Sequence, residues 1–510
     1  MLHQQGPRWN RTTTLSSSIP PALGIICAVH TQYVHKNRTC KNREQQNHQL
    51  RRRPPTPALA AMSLRRLLAF SSASSGHLRR SLSTAASDSP AGGLSWYMLE
   101  KVTMAMGSAA TPSVRFADPP RVSELYMPEN LFDPGAIPVP GRQSDTVRML
   151  SGQAGSASQD GLLLLNYKDI RITAPIVATE HRGNLSRGIR KPTGGRPDPA
   201  EVPDMAHFVF NPFTRELSPR LPEIQGPVKI SDGFEVGLLT QADAGRGPPD
   251  RYAVAKLEGD VMLRFLSETG EWETVQGSPC QLPAAGRRFS PCQEVVAFGG
   301  RLWWVDVTWG AVCADPLSDR PEPHFVELPS GSVLPADACE QAIRSSIFLT
   351  EANGMSKMYM RLPNMCRRVG VSGGCLRYVE VSQTAPFVLS SFALDASHSG
   401  WTLEHRVALS RLWADGAHPW LPLEGANRPQ IGALHPYEAN VVHLIVGKHI
   451  LAVDMHKGEV TEHVPYRGHH QVSILPCPVP SWLPTARIPS IGKKDVSKKT
   501  TLADVLVRSD

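Results

Sequence analysis

The apolar positions of this chain fall in short runs, each followed by a polar turn and then by another short run. That pattern predicts β-strands joined by tight connections, because strands need only a few residues and turns need polar or flexible ones. A first strand is predicted where Leu162–Leu165 follows Gly161. His207–Phe210 then leads into the polar turn Asn211–Glu216 and on to Leu221-Pro222, and Val261–Leu266 leads into Ser267–Trp272. Leu302–Val307 and Ala311–Asp315 lead through Pro316–Arg320 to Phe325–Pro329. Ile450–Asp454 leads through Met455–Gly458 to Glu459–Val464.

Three segments sharpen the prediction. Arg367–Val371 and Cys375–Val381 flank Ser372-Gly373-Gly374, a tight-turn composition that predicts a hairpin. Trp401, Leu403, His405, Val407 and Leu409 alternate with Thr402, Glu404, Arg406 and Ala408, which predicts one half-buried strand. Leu302–Val305 is apolar at every position, as expected of a strand covered on both faces.

The predicted fold is therefore all-β: a β-propeller-like repeat of short antiparallel strands, with a large β-sandwich as the alternative, behind a disordered N-terminal leader. Residues 161–478 are assigned to this β domain. At roughly 40–50 residues per blade they have room for six or seven blades. Residues 88–160, with Pro-rich and Gly/Ser-rich stretches, are expected to be a loosely organised lead-in, and 180–203 a long surface loop. Residues 479–510 are expected to form a flexible tail, Lys-rich and loosely attached from about 484.

Charge changes the picture at the N-terminus. Residues 1–87 contain thirteen Lys/Arg and a single acid, Glu44. Of the chain's 54 bases and 46 acids this leaves 41 and 45, so the formal charge of +8 conceals a body of net charge −4. A mildly anionic body lacks the concentrated positive charge of a nucleic-acid binder, and no nucleic acid is expected as a partner. Within the leader, residues 62–87 are rich in Arg and Ser and free of acids, and Leu64, Leu67 and Leu68 share a helical face from which Arg65 and Arg66 project away. This predicts a transit peptide cut near Leu82/Ser83. Its destination is read as mitochondrial, with chloroplast, cytoplasm or nucleus as alternatives. Residues 1–61 then stand as an extension ahead of a start at Met62.

The sequence contains no run of apolar residues long enough to span a membrane. Seven of the nine cysteines lie in the body, without C-x-x-C spacing, which predicts free thiols rather than a disulfide framework or zinc site. No phosphate-cradling glycine motif occurs. Most of the seven histidines between 435 and 470 (His435, His443, His449, His456, His463, His469 and His470) stand near turns, at spacings unlike a metal-binding helical pair. Gly370–Gly374 matches G-x-S-x-G, yet Leu376–Val381 continues as strand where a nucleophile elbow needs a helix. Trp303, Trp304, Trp309, Trp401, Trp413 and Trp420 are read as blade packing, and Asp250 and Arg251 as a loop ion pair.

Gly233–Asp243, Gly247–Arg251, Leu302–Gly310 and Leu376–Glu380 together resemble characteristic stretches of the plant, grass-type DUF1618 family, over about residues 100–475. Phe210–Glu216 followed by Leu221-Pro222 is also similar to the propeller repeat of F-box-associated proteins, although no F-box-like segment precedes it. The DUF1618 resemblance implies relatives without a defined activity, so no catalytic, cofactor-binding or metal-ligating residue is assigned and no cofactor is expected. The function expected is a non-enzymatic module of a plant organelle that binds a protein partner. A hydrolase-like enzyme with a site assembled from loops at a propeller channel is one alternative, and a stress- or development-linked regulator is another.

Overall fold

The computed structural model describes residues 93–103, 106–107, 110–128, 131, 146–173, 204–225, 230, 235–243, 245, 247–277, 280, 282, 287–344, 347–350, 356–359, 362–414, 428–466 and 474–492. The chain divides into Met1–Pro90 and Ala91–Asp510, and every described residue belongs to the second unit. The leader, the 180–203 loop, His469, His470, Trp420 and residues 493–510 lie outside the described residues.

The described strands, in chain order, are β1 (Trp96–Glu100), β2 (Val102–Thr103), β3 (Met106–Gly107), β4 (Ser113–Arg115), β5 (Val122–Pro128), β6 (Thr146–Ala157), β7 (Leu163–Thr173) and β8 (Asp204–Phe210). Next come β9 (Val236–Gln241), β10 (Arg251–Glu258), β11 (Val261–Leu266), β12 (Glu271–Gln276), β13 (Val296–Phe298), β14 (Arg301–Asp306), β15 (Gly310–Ala314) and β16 (His324–Glu327). Helix α1 (Ala338–Arg344), strands β17 (Ile347–Thr350) and β18 (Ser356–Tyr359) and helix α2 (Pro363–Cys366) follow. The series closes with β19 (Arg367–Ser372), β20 (Cys375–Val381), β21 (Val388–Leu394), β22 (Trp401–Ala408), α3 (Leu409–Ala414), β23 (Gln430–Leu434), β24 (Val441–Val446), β25 (His449–Asp454), β26 (Glu459–Pro465) and β27 (Ile474–Pro478).

These strands build a six-bladed β-propeller. Blade 1 is β6–β8, with β2 on the free edge of β6. Blades 2 to 5 are β9–β12, β13–β16, β19–β22 and β23–β26, each a four-stranded antiparallel meander. Blade 6 joins the two ends of the domain. C-terminal β27 pairs antiparallel with N-terminal β1, Trp96 opposite Pro478 and Glu100 opposite Ile474, and β1 runs parallel to β5. Strands β6, β9, β13, β19, β23 and β27 each touch the next, and β27 returns to β6, so the first strands of the six blades form a closed inner ring.

Packing explains why this sequence closes as it does. Six apolar clusters fill the six clefts between neighbouring blades. A middle strand must therefore be apolar on both faces, one for each cleft. In β14, Trp303 and Val305 enter the cleft toward blade 4, while Leu302 and Trp304 enter the cleft toward blade 2. Strand β1 divides in the same way: Tyr97 and Leu99 face blade 1, Trp96 and Met98 face blade 5. The outermost strands β12 and β26 carry mostly exposed residues.

The hairpin at Ser372-Gly373-Gly374 forms as the sequence predicts, between β19 and β20, with both glycines at positive φ. Three readings need correction. Residues 88–160 are more than a loose lead-in, because β1, β4 and β5 complete blade 6 and β6 is the inner strand of blade 1. Strands β1, β4 and β5 are short, and β6 is rich in Gly, Ser and Ala, so the periodic signal is weak in each. The expected loose attachment from 484 does not hold up to 492: Leu483, Ala486 and Ile488 are buried, and Gly492 N–H donates to Ser267 O at 2.9 Å. Strand β22 forms, but as an outer strand with a register shift in its pairing to β21, and Leu403 is left 47% exposed.

Candidate functional site

The inner ring encloses a cavity of about 360 Å³. Five blades supply its walls: the β6–β7 turn, Val295–Phe298, Val369–Val371, Leu434 with Pro436 and Tyr437, and Leu475 with Pro476 and Pro478. Most of this surface is aliphatic or proline. The β19–β20 turn at Gly374 and the β23–β24 turn at Pro436-Tyr437 mark the mouth. Arg368 lies at the opposite end of β19 from that turn, and with Glu294 it forms the deep end.

The deep end is a buried charge cluster. The Arg368 guanidinium bonds the Glu294 carboxylate and also donates to the carbonyls of Gly432 at 2.9 Å and Ile474 at 2.7 Å. One side chain thus ties blade 4 to blades 3, 5 and 6. Lys101 Nζ stands 3.9 Å from the other Glu294 oxygen. Burial draws the Arg368 pKa down to about 10, which leaves it charged at neutral pH.

Around the mouth, side chains lash neighbouring blades together. Thr240 Oγ1 donates to Asp160 Oδ2 at 2.5 Å between blades 2 and 1. Beside the deep charge cluster, the Gln293 amide takes the place of a strand edge, accepting from Val369 N–H at 2.9 Å and donating to Val369 O at 2.8 Å. Ser372 Oγ donates to His435 O at 2.6 Å, and Tyr437 hydroxyl donates to Ser95 O at 3.1 Å. Tyr437 is nevertheless 52% exposed, an aromatic ring held in place at the rim. A wall stitched in this way is pre-organised, so little conformational freedom remains to be lost when something binds.

The residues singled out from the sequence are placed as follows. Ser372 sits at the rim, in a hairpin and with its hydroxyl committed to a carbonyl, not on a nucleophile elbow. Trp303, Trp304 and Trp309 are buried in blade packing. Trp401 Nε1 donates to Glu327 O at 2.8 Å. Asp250 and Arg251 do not pair with each other: Asp250 accepts from Asp243 N–H at 2.8 Å, and Arg251 reaches Gln241 and Glu268. His435 and His443 stack, with Trp96 against both. Burial, then the neighbouring His435, holds His443 down at about 3, so it is neutral. Among the described residues no three His, Cys, Asp or Glu side chains converge as a metal-ligand set. No described helix is long and apolar enough to cross a membrane.

The cluster Lys101, Glu294 and Arg368 has no linear signature, because its members come from three blades. The one available hint is local: Arg368 and Glu294 each stand immediately before a valine of an inner strand or its approach.

Residues 304–443 match DUF1618, a family described as protein of unknown function. The match spans β14 to β24 and agrees with the family resemblance of the sequence motifs. No curated protein matches the chain. Among solved structures, the chain is similar to the β-propeller domain of Cps50 (Swd1) from Myceliophteria thermophila, at 9% identity and TM-score 0.25, over 51% of this chain and 80% of that one. It is also similar to a provisionally assigned 6-phosphogluconolactonase from Bacteroides uniformis, at 12% identity and TM-score 0.24, over 65% of this chain and 100% of that one. A third is the six-bladed fucose-recognising lectin of Aleuria aurantia, at 13% identity and TM-score 0.20, over 52% of this chain and 78% of that one. Scores this low carry no argument about this chain, and the six-bladed architecture stands on its own strand pairing.

Proposed function

We propose that this propeller is a non-enzymatic protein-interaction module that receives an apolar side chain of a partner protein in its central cavity. The observation that carries this reading is the character of the cavity: aliphatic and proline walls, a rigidly held aromatic ring at the rim, and deep charges that bond one another. Concave apolar surface with a fixed aromatic is where binding energy concentrates in protein interfaces. Among the described residues lining the cavity, the ionisable groups are Glu294, Arg368 and Tyr437. The first two are engaged with each other, which supports binding over hydrolysis. The Arg- and Ser-rich segment at 62–87 supports a mitochondrial setting. Fusing residues 62–87 to a fluorescent protein in plant cells tests that part, and diffuse fluorescence would refute it.

Gly370 offers a clean test of the cavity. It lines the wall at ordinary strand φ, and a Cβ there would meet only the Leu434 side chain, at 3.7 Å. A Gly370→Phe side chain therefore fills the cavity without forcing the backbone. Displayed random peptides panned on the full chain are expected to yield apolar-anchored binders. Their affinity is expected to fall at least about tenfold on Gly370→Phe protein whose thermal midpoint is unchanged. Equal binding to both proteins, or no peptides retained by the unaltered chain, would overturn the proposal.

A further inference from the structure

Outside the central cavity, a second cleft of about 630 Å³ opens beside blade 4. One side is the connection between blades 3 and 4, with Pro335 and the α1 residues Ala338 and Ala342. The other side is the end of blade 4 opposite the Ser372–Gly374 turn, where strand pairing lays four polar residues in line. Arg367 of β19 stands opposite Glu380 of β20, Glu380 opposite Ser390 of β21, and Ser390 opposite Arg406 of β22. Residues directly opposite one another in an antiparallel sheet share a face, so the four side chains form one row, and all four line the cleft.

The row divides into committed and uncommitted groups. Arg367 donates to Val307 O at 3.3 Å and to Ser332 O, and its Nη2 stands 3.5 Å from Glu380 Oε2. Tyr378 hydroxyl donates to the same Glu380 oxygen at 2.8 Å. Both contacts fall on Oε2, so Glu380 Oε1 has no donor among the described residues. Ser390 is only 3% exposed, and its hydroxyl has no partner among the described residues. Arg406 is exposed, and its guanidinium has no acceptor among them. A buried hydroxyl left unpaired is costly, and a ligand that bonds it removes that cost.

We propose that this cleft binds a free α-amino acid with an apolar side chain. The row presents, in order, an acceptor (Glu380 Oε1), a hydroxyl (Ser390) and a cation (Arg406). Neighbouring strands lie about 4.8 Å apart, so Glu380 and Arg406, two strands apart, are separated by about 10 Å at the backbone. An α-amino acid with one hydrogen bond from its ammonium and one to its carboxylate bridges about 8–9 Å, and the long Arg406 side chain closes the remainder. The ammonium donates to Glu380 Oε1. The carboxylate accepts from the Ser390 hydroxyl and from the Arg406 fork. The apolar side chain lies on Pro335, Ala338 and Ala342. A simple anion would leave Glu380 Oε1 facing a second carboxylate, and a simple amine would leave Arg406 unmatched. The zwitterion answers both.

The test titrates the full chain calorimetrically with L-leucine, with isocaproate, which lacks the ammonium, and with isoamylamine, which lacks the carboxylate. Leucine is expected to bind at least about tenfold more tightly than either analogue. Arg406→Gln is expected to weaken leucine binding at least about tenfold, and Ser390→Ala about fivefold. Neither side chain has a partner among the described residues to lose, so both variants are expected to keep the thermal midpoint of the parent. Gly370→Phe, which fills the central cavity, is expected to bind leucine as the parent does. Absence of leucine binding, equal affinity for leucine and isocaproate, undiminished binding by Arg406→Gln, or loss of binding in Gly370→Phe would overturn the proposal.

Discussion

Arg368 and Glu294 bond each other across the junction of two blades, at the end of the central cavity away from its mouth, each with 5% of its surface exposed. Lys101, wholly buried, stands on the other side of the same carboxylate. Two cations therefore share one anion in a region of low polarity. Buried pairs add little net stability over apolar replacements, but removing one partner strands a buried charge. The arrangement makes the three residues unequal. Glu294→Gln leaves two neighbouring cations without the carboxylate between them and is expected to cost about 3–5 kcal/mol. Lys101→Met leaves Glu294 bonded to Arg368 and is expected to cost less. Urea unfolding midpoints of the two variants order them, and a Lys101→Met protein less stable than Glu294→Gln would contradict this account.

A second expectation concerns the seam where the two ends of the domain meet. Gly161 turns between β6 and β7 with φ +80°, and a Cβ there would stand 2.5 Å from the backbone oxygen of Pro478. Gly299 has a comparable φ of +62° but open space around it. Gly299→Ala is expected to cost about 1 kcal/mol, the price of a left-handed conformation alone. Gly161→Ala adds a clash with backbone that cannot move aside and is expected to cost at least about 2 kcal/mol more. Thermal midpoints of the two variants give the comparison directly.

Much of the propeller is legible in the sequence, and the reason is local. Runs such as Leu302–Val305 and Ile450–Asp454 carry their own strand signal, and turns such as Ser372–Gly374 need residues that tolerate positive φ. Blade 6 is not legible, since its strands come from opposite ends of the domain and β1 is paired by β27 nearly four hundred residues later. The cavity is hidden for the same reason: Glu294, Arg368 and Leu475 converge only once the ring has closed.

Stability should depend on pH through Glu100. Burial, and then the Glu124 carboxylate, raises its pKa from 4.5 to about 7. The fold thus favours the protonated form. The stability linked to this group is fully present below about pH 4.5 and is lost as pH rises through about 7. Glu100→Gln is expected to abolish that loss, gaining at most about 3 kcal/mol over the parent at pH 8. Burial holds His207 at about 4 and His443 at about 3, which costs stability as pH falls, but both variants share that effect. The difference between their pH profiles therefore isolates Glu100, and parallel profiles from pH 5 to 8 would contradict the assignment.

One buried side chain bonds the segment after β27 at two points. Asn211, fully buried in the turn after β8, donates through Nδ2 to Leu483 O at 3.0 Å and Ala486 O at 2.9 Å. Its Oδ1 accepts from Phe213 N–H at 3.0 Å and Thr214 N–H at 3.3 Å, so the same amide shapes the turn and holds the returning chain. Glu216 assists by accepting from Ile488 N–H at 3.0 Å. Asn211→Ala strips partners from two carbonyls and two N–H groups and is expected to cost about 2–4 kcal/mol. The loss should be local before it is global, because the segment covers blades 1 and 2 from outside the inner ring. Trypsin should cut after Arg487 well before any site in blades 3 to 5, and amide exchange at 483–492 should rise while that of β14 and β24 stays as in the parent. Uniform acceleration across the propeller would show instead that Asn211 supports the whole ring and not the attachment of this segment.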